Sequence, residues 1–234
     1  MDYSDAGFFL TGIRFHQYDP RFGGSTDSAA GLRAFCGFAL IQQSHPRAMS
    51  DLVDLLVDPE KTARAGAARA IAHGGGQESE LLLRLKMSLG DPAPEVMGEC
   101  FAGLLRLDPC NNLPRVAPFL EDSSEELACE AAIALGETRL PAALPPLQNQ
   151  LRRTTSGEYA RVLLTAIGLL GTPEAVEVLF SVVNESDYDR AVATINALAN
   201  CREREAIKTR LTELVNQPAN ARLRHALATM FGDK

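Results

Sequence analysis

Tryptophan is absent from the 234 residues, and aromatics make up only 6%. That leaves little material for stacking nucleic-acid bases. Lysine is scarce: Lys61, Lys86, Lys208 and Lys234 are the only four. Residues 51–150 carry 16 acids against 8 bases, within a net charge of −7 for the chain. Phosphate backbones need clustered cations, so an acidic centre counts against nucleic acid as a partner. The last stretch, 201–234, has 4 acids and 7 bases. Arg202, Arg204, Arg210, Arg222 and Arg224 are its candidates for any phosphate contact. No apolar run approaches the length of a membrane span. The opening MDYSDAGFFLTG lacks the basic start and sustained apolar core of a secretory signal. Five cysteines, an odd number without CxxC spacing, exclude a disulfide framework and suit a reducing compartment. The expectation is a soluble cytoplasmic protein. His16, His45, His73 and His225 are dispersed, with no metal-ligand spacing and no catalytic Cys–His or Ser–His–Asp set. No catalytic residue, metal site or cofactor is expected.

What the chain has instead is a repeat. Residues 121–138, EDSSEELACEAAIALGET, read as an acidic turn and an Ala-rich helix. Ser123 or Ser124 is the expected cap and Gly136 the expected terminator. Aligned on Ala134-Leu135, equivalent pairs stand at Ala39, Ala70, Gly103, Ala166, Ala197 and Ala228, spaced by 31, 33, 31, 32, 31 and 31. A fixed period in this range is the signature of a solenoid. Three residues before each anchor lie Cys36, Ala67, Cys100, Ala131, Leu163, Thr194 and His225, mostly small or apolar. Seven before lie Leu32, Ala63, Val96, Leu127, Tyr159, Arg190 and Ala221, a column that Arg190 breaks. Each of these B helices after the first follows an apolar-periodic A segment, such as SDLVDLLVD (50–58) or PEAVEVLFSVVNE (173–185). Residues 1–17 read as a lone A helix. The pattern predicts an all-α solenoid of about seven antiparallel helix pairs forming one domain over 1–234. The first pair with its long loop takes 1–45. Further repeats lie near 46–76, 77–111, 112–140, 141–171, 172–201 and 202–234.

The B segments Leu32-Arg33-x-x-Cys36-Gly37-x-Ala39-Leu40 and Ala63-Arg64-x-x-Ala67-Ala68-x-Ala70-Ile71 carry a recognisable pattern. It resembles the short bacterial HEAT-like repeats, also called phycobilisome-lyase-type HEAT repeats, over roughly residues 27–234. The resemblance implies a right-handed, armadillo-like superhelix with B helices lining its concave side. The family's Arg stands at Arg33, Arg64 and Arg222, and is Met97, Ala128, Ala160 and Ala191 elsewhere. That Arg typically braces the preceding acidic turn, so the middle repeats must hold their turns by other means. Among relatives, bilin lyase subunits use such repeats, but nothing here marks a bilin site. HEAT-like alkylpurine DNA glycosylases need a basic concave face with aromatic residues and an acid, whereas this chain is acidic overall and lacks Trp.

Function must then lie on surface positions. Glu99 and Glu130 share the column four before the anchor, and Arg69 and Asn196 the column just before it. All four could face the groove. Tyr18 and Phe22, on the long loop 17–27, are two further candidate partner contacts. The expected function is a non-enzymatic scaffold whose concave face holds a protein or peptide. An alternative is a lyase-subunit-like protein handling a cofactor-type ligand, with a polar pocket near 17–27. The apolar residues Phe8, Phe9 and Ile13 leave the N-terminal end in need of cover, either by the following loop folding back or by an upstream repeat or another subunit docking there.

Overall fold

The computed structural model describes residues 13–19, 24–185, 187–199, 201, 204–216 and 223–231. It opens on an antiparallel hairpin, β1 (His16–Asp19) paired with β2 (Gly24–Asp27), His16 opposite Asp27. The described part of the expected first A helix, from residue 13 on, is therefore extended. Residues 1–12 lie outside the described residues.

Helices then alternate as the repeat requires. B helices are α1 (Ala30–Gln42), α3 (Lys61–Gly74), α5 (Pro94–Leu107), α7 (Glu125–Glu137), α9 (Gly157–Leu170), α11 (Tyr188–Ala199) and α13 (Arg224–Phe231). A segments are α2 (Ala48–Leu55), α4 (Gly76–Leu89), α6 (Pro109–Val116) with a 3-10 turn at Ala117–Glu121, and α8 (Leu144–Arg153) after a 3-10 turn at Pro141–Ala143. The last two are α10 (Pro173–Glu185) and α12 (Arg204–Val215).

Turn chemistry recurs at the same period as the anchors. Asp27, Asp58, Asp91 and Asp122 each accept the backbone N–H two residues on, at Ala29, Glu60, Ala93 and Ser124. Thr154 does the same for Ser156. Such side-chain turns present the next helix with its first orphan donors already arranged. Ser124 and Ser156 then cap α7 and α9, accepting from Leu127 and Tyr159 N–H, and Thr172 caps α10 by accepting from Ala175 N–H.

The chain divides into two compact units, Met1–Asn112 and Leu113–Lys234. In the first, α1, α3 and α5 pack side by side. Its core holds Leu52, Leu55, Ala63, Ala67, Ile71, Leu83, Cys100 and Leu104. In the second, α7, α9 and α11 do the same, over Leu135, Leu147, Leu163, Ile167, Leu179 and Ile195. The small anchor columns let these helices touch backbone to backbone. A Cβ at Gly136 would stand 2.5 Å from the Ala166 carbonyl oxygen, and one at Gly168 2.7 Å from that of Ala197. Gly136 is thus not the terminator expected of it. It lies inside α7, which runs to Glu137 with Thr138 as C-cap.

The brace is built differently in the two units. Arg33 is fully buried. It donates from Nε and Nη2 to both Asp58 oxygens, at 3.0 and 2.9 Å, and from Nη1 to Asp27 at 2.6 Å and to the Ile13 carbonyl. Arg64 repeats the fork on Asp91, at 2.8 and 2.9 Å, while its Nη1 donates to the Asp58 and Pro59 carbonyls. Each Arg therefore ties its own turn to the next one. Where the second unit has Ala160 and Ala191, the neighbouring column takes over. Tyr159 Oη donates to the Leu120 carbonyl at 2.7 Å, and Arg190 Nη2 to the Leu151 carbonyl at 2.8 Å. Arg190, which looked like a break in its column, is the brace of its repeat.

In α13 the register slips. Leu223 and Ala226 are buried, whereas Ala228 and His225 are exposed, so the seventh anchor and the expected core histidine face outward.

Candidate interaction surface on the B helices

With columns −12, −7, −6, −3, −2, 0 and +1 largely spent on turns, braces and seams, the columns at −8, −5, −4 and −1 from the anchor face outward on α1, α3, α5, α7, α9 and α11. They lie on one helical face, because these offsets are three or four apart. Those positions line the grooves of both units.

In the first unit a groove of about 660 Å³ runs over α1, α3 and α5. Gly31, Ala34, Phe35 and Phe38 form the α1 side, Thr62, Ala65 and Gly66 the floor, and Glu95 and Glu99 the far side. Arg69 Nε donates to Glu99 Oε2 at 3.0 Å, and its Nη2 donates to Oε1. Lys61 pairs with Glu95 across the same two helices. Phe38 packs against the His73 ring at 4.6 Å. Phe35 is 69% exposed.

In the second unit a groove of about 420 Å³ is lined by Cys129, Glu130, Ile133, Glu158, Arg161, Val162 and Thr165. Another, of about 700 Å³, lies over α9 and α11. It shares Glu158 and Arg161 and adds Asp187, Tyr188, Asp189, Arg190 and Asn196. Acids outnumber bases here. Burial pushes the Cys129 thiol up, and Glu125, Glu158, Glu130 and Glu126 add to it, bringing it to about 11. Burial also raises Cys36 and Cys201, and takes Cys100 to about 12. These four thiols are held protonated, the opposite of an activated nucleophile.

Of the residues singled out in the sequence, Arg69 and Glu99 come together in the first unit as an ion pair. Glu130 and Asn196 line separate grooves of the second. Tyr18 lies on β1, where its side chain is outside the described residues, as is Phe22 altogether. Phe35, Phe38 and Lys61 were missed. The signal for the two aromatics was present: Phe35 occupies the column of Glu99 and Glu130, and Phe38 that of Arg69 and Asn196. Reading a column for charge alone passed over its aromatic members.

Residues 127–153, from Leu127 on α7 to the end of α8, match the family described as PBS lyase HEAT-like repeat. This segment is a HEAT-like repeat. The same helix pair, turn acceptor and small seam recur on both sides of it, so the chain is built from helical repeats similar to the matched segment. No curated protein matches the sequence. Among solved structures, human deoxyhypusine hydroxylase in complex with glycerol aligns at 21% identity over 87% of this chain and 79% of that one, with a TM-score of 0.40. The complex of CpcE and CpcF of phycocyanin lyase from Nostoc sp. PCC7120 aligns at 17% identity over 87% and 90%, with a TM-score of 0.46. No helix among the described residues is long and apolar enough to cross a membrane.

Proposed function

We propose that this helical repeat protein is a non-enzymatic interaction module that holds a protein or peptide on the exposed face of its B helices. The observation that carries this reading is the division of labour among columns. Buried columns are small and repetitive, while the outward-facing ones, exposed or half-buried, change from repeat to repeat: Phe35, Gly66, Glu99, Glu130, Val162 and Ala193 in one column alone. Repetition serves packing; variation gives each stretch of groove its own chemistry. The raised thiols support a binding role over nucleophilic chemistry, and the acids of the second unit oppose a phosphate backbone.

A photo-crosslinking residue at position 65 or 162, one in each unit's groove, tests the reading in cells. Discrete crosslinks to a polypeptide are expected from at least one position and not from Val57, which is exposed in the turn after α2, outside the grooves. Retention of only a small molecule, with no polypeptide crosslinked, overturns it.

A further inference from the structure

The groove of the first unit differs from those of the second in a way that specifies its occupant. Its two possible charge handles are closed on themselves, Lys61 on Glu95 and Arg69 on Glu99. Between these ion pairs the surface is apolar or uncharged: Phe35 and Phe38 on one side, Ala34, Ala65 and Gly66 beneath. The trough exists because α1 and α3 meet at their small residues. A Cβ at Gly66 would lie 2.2 Å from the Ala34 Cβ, so no side chain there can fill it. Phe38 is held from behind by His73, whereas Phe35 is the most exposed aromatic among the described residues.

We propose that this groove seats an amphipathic helix of a partner protein through large apolar side chains four residues apart. The inference rests on the interaction reading above and names the partner's chemistry. Lys61 and Arg69 are eight residues apart on α3, so the ion pairs bracket about 12 Å of groove. Two side chains at i and i+4 on a helix span about 6 Å and fit between them. Complementarity decides the rest. With the rim charges paired, a charged ligand gains no free partner and must break an ion pair to find one. An apolar side chain buries itself against Phe35 and leaves both pairs intact.

The test is a display library of helical peptides selected against the full chain, with binding measured by fluorescence polarisation. Selected peptides are expected to carry Leu, Ile, Met or Phe four apart. Their affinity should change less than about twofold between low salt and about 0.5 M salt, because screening acts on charges. Phe35→Ala should weaken binding about tenfold or more, as loss of a buried aromatic anchor does, with an unchanged unfolding midpoint. Ala65→Leu, which fills the trough, should block binding by a route that leaves Phe35 in place. Ile133→Ala, in the second unit, should have no effect. Peptides rich in Lys and Arg, bound in a steeply salt-dependent way and lost with Glu130→Gln or Glu158→Gln, would overturn this inference and leave the interaction reading standing. Enrichment of no peptide at all counts against both.

Discussion

Arg33 has no exposed surface and makes four hydrogen bonds, three of them to the two carboxylates it joins. Burial alone would lower its pKa, but the bonds to Asp58 and Asp27 more than reverse this. Truncating one partner of such a pair leaves the others charged and dry. Arg33→Met is therefore expected to destabilise the first unit by about 3–5 kcal/mol, read as a shift in urea midpoint. The carboxylates bring a pH dependence. Burial raises Asp27, but hydrogen bonds from Phe15 N–H, Arg33 and Ala29 N–H bring it down to about 2. Asp91 is likewise raised by burial and then brought to about 2 by Arg64, Lys86 and Ala93 N–H. Both folded values lie below the ordinary 3.8, so on acidification the unfolded chain takes up protons first. The stability these groups give is whole above about pH 4 and is lost as pH falls toward 2. Thermal unfolding across that range should show the decline, and Asp91→Asn should start lower and fall less steeply. A slope identical in wild type and variant would refute the assignment.

At the scale of the element, the seams between B helices set what a position can hold. Ala for Gly inside a helix is worth up to about 1 kcal/mol of propensity. At Gly136 the new Cβ would meet backbone, the Ala166 carbonyl, which cannot swing aside as a side-chain tip can. Overpacking of about 1–3 kcal/mol outweighs the gain. Gly136→Ala should destabilise the second unit, whereas Gly31→Ala, with nothing within 4 Å, should stabilise the first. Paired denaturant titrations distinguish the two signs. The braces of the second unit make a parallel case. Burial raises the Tyr159 phenol, keeping it a proton donor to the Leu120 carbonyl. Tyr159→Phe removes that donor from a buried acceptor, at a cost of about 1–3 kcal/mol. A calorimetric midpoint unchanged from wild type would show that water replaces it.

For the whole molecule, two kinds of surface come from one repeat. The groove of the first unit is apolar between closed ion pairs, and those of the second are rich in acid. Salt response separates their ligands: near-flat for an occupant of the first, steep for a cation held by the second. The turn acids, seam alanines and B-helix positions were all legible, because packing repeats them every 31–33 residues. The strands His16–Asp19 and Gly24–Asp27 were not, since Phe8, Phe9, Leu10, Ile13 and Phe15 read as the apolar positions of a helix over 1–17. Nor was the pairing of Arg69 with Glu99, which stand 30 residues apart and meet only when α3 and α5 lie side by side.

The sequence by itself determined the period, the helix pairs from α2 to α11 and which of their columns are buried, because small seams and turn acceptors are local requirements of each such repeat. The tertiary structure alone decided what the remaining columns do. It closed Glu99 onto Arg69, turned Arg190 from an apparent break into a brace, and left Phe35 uncovered. Those outcomes depend on which side chain the neighbouring repeat presents, and that neighbour is named by distance in space.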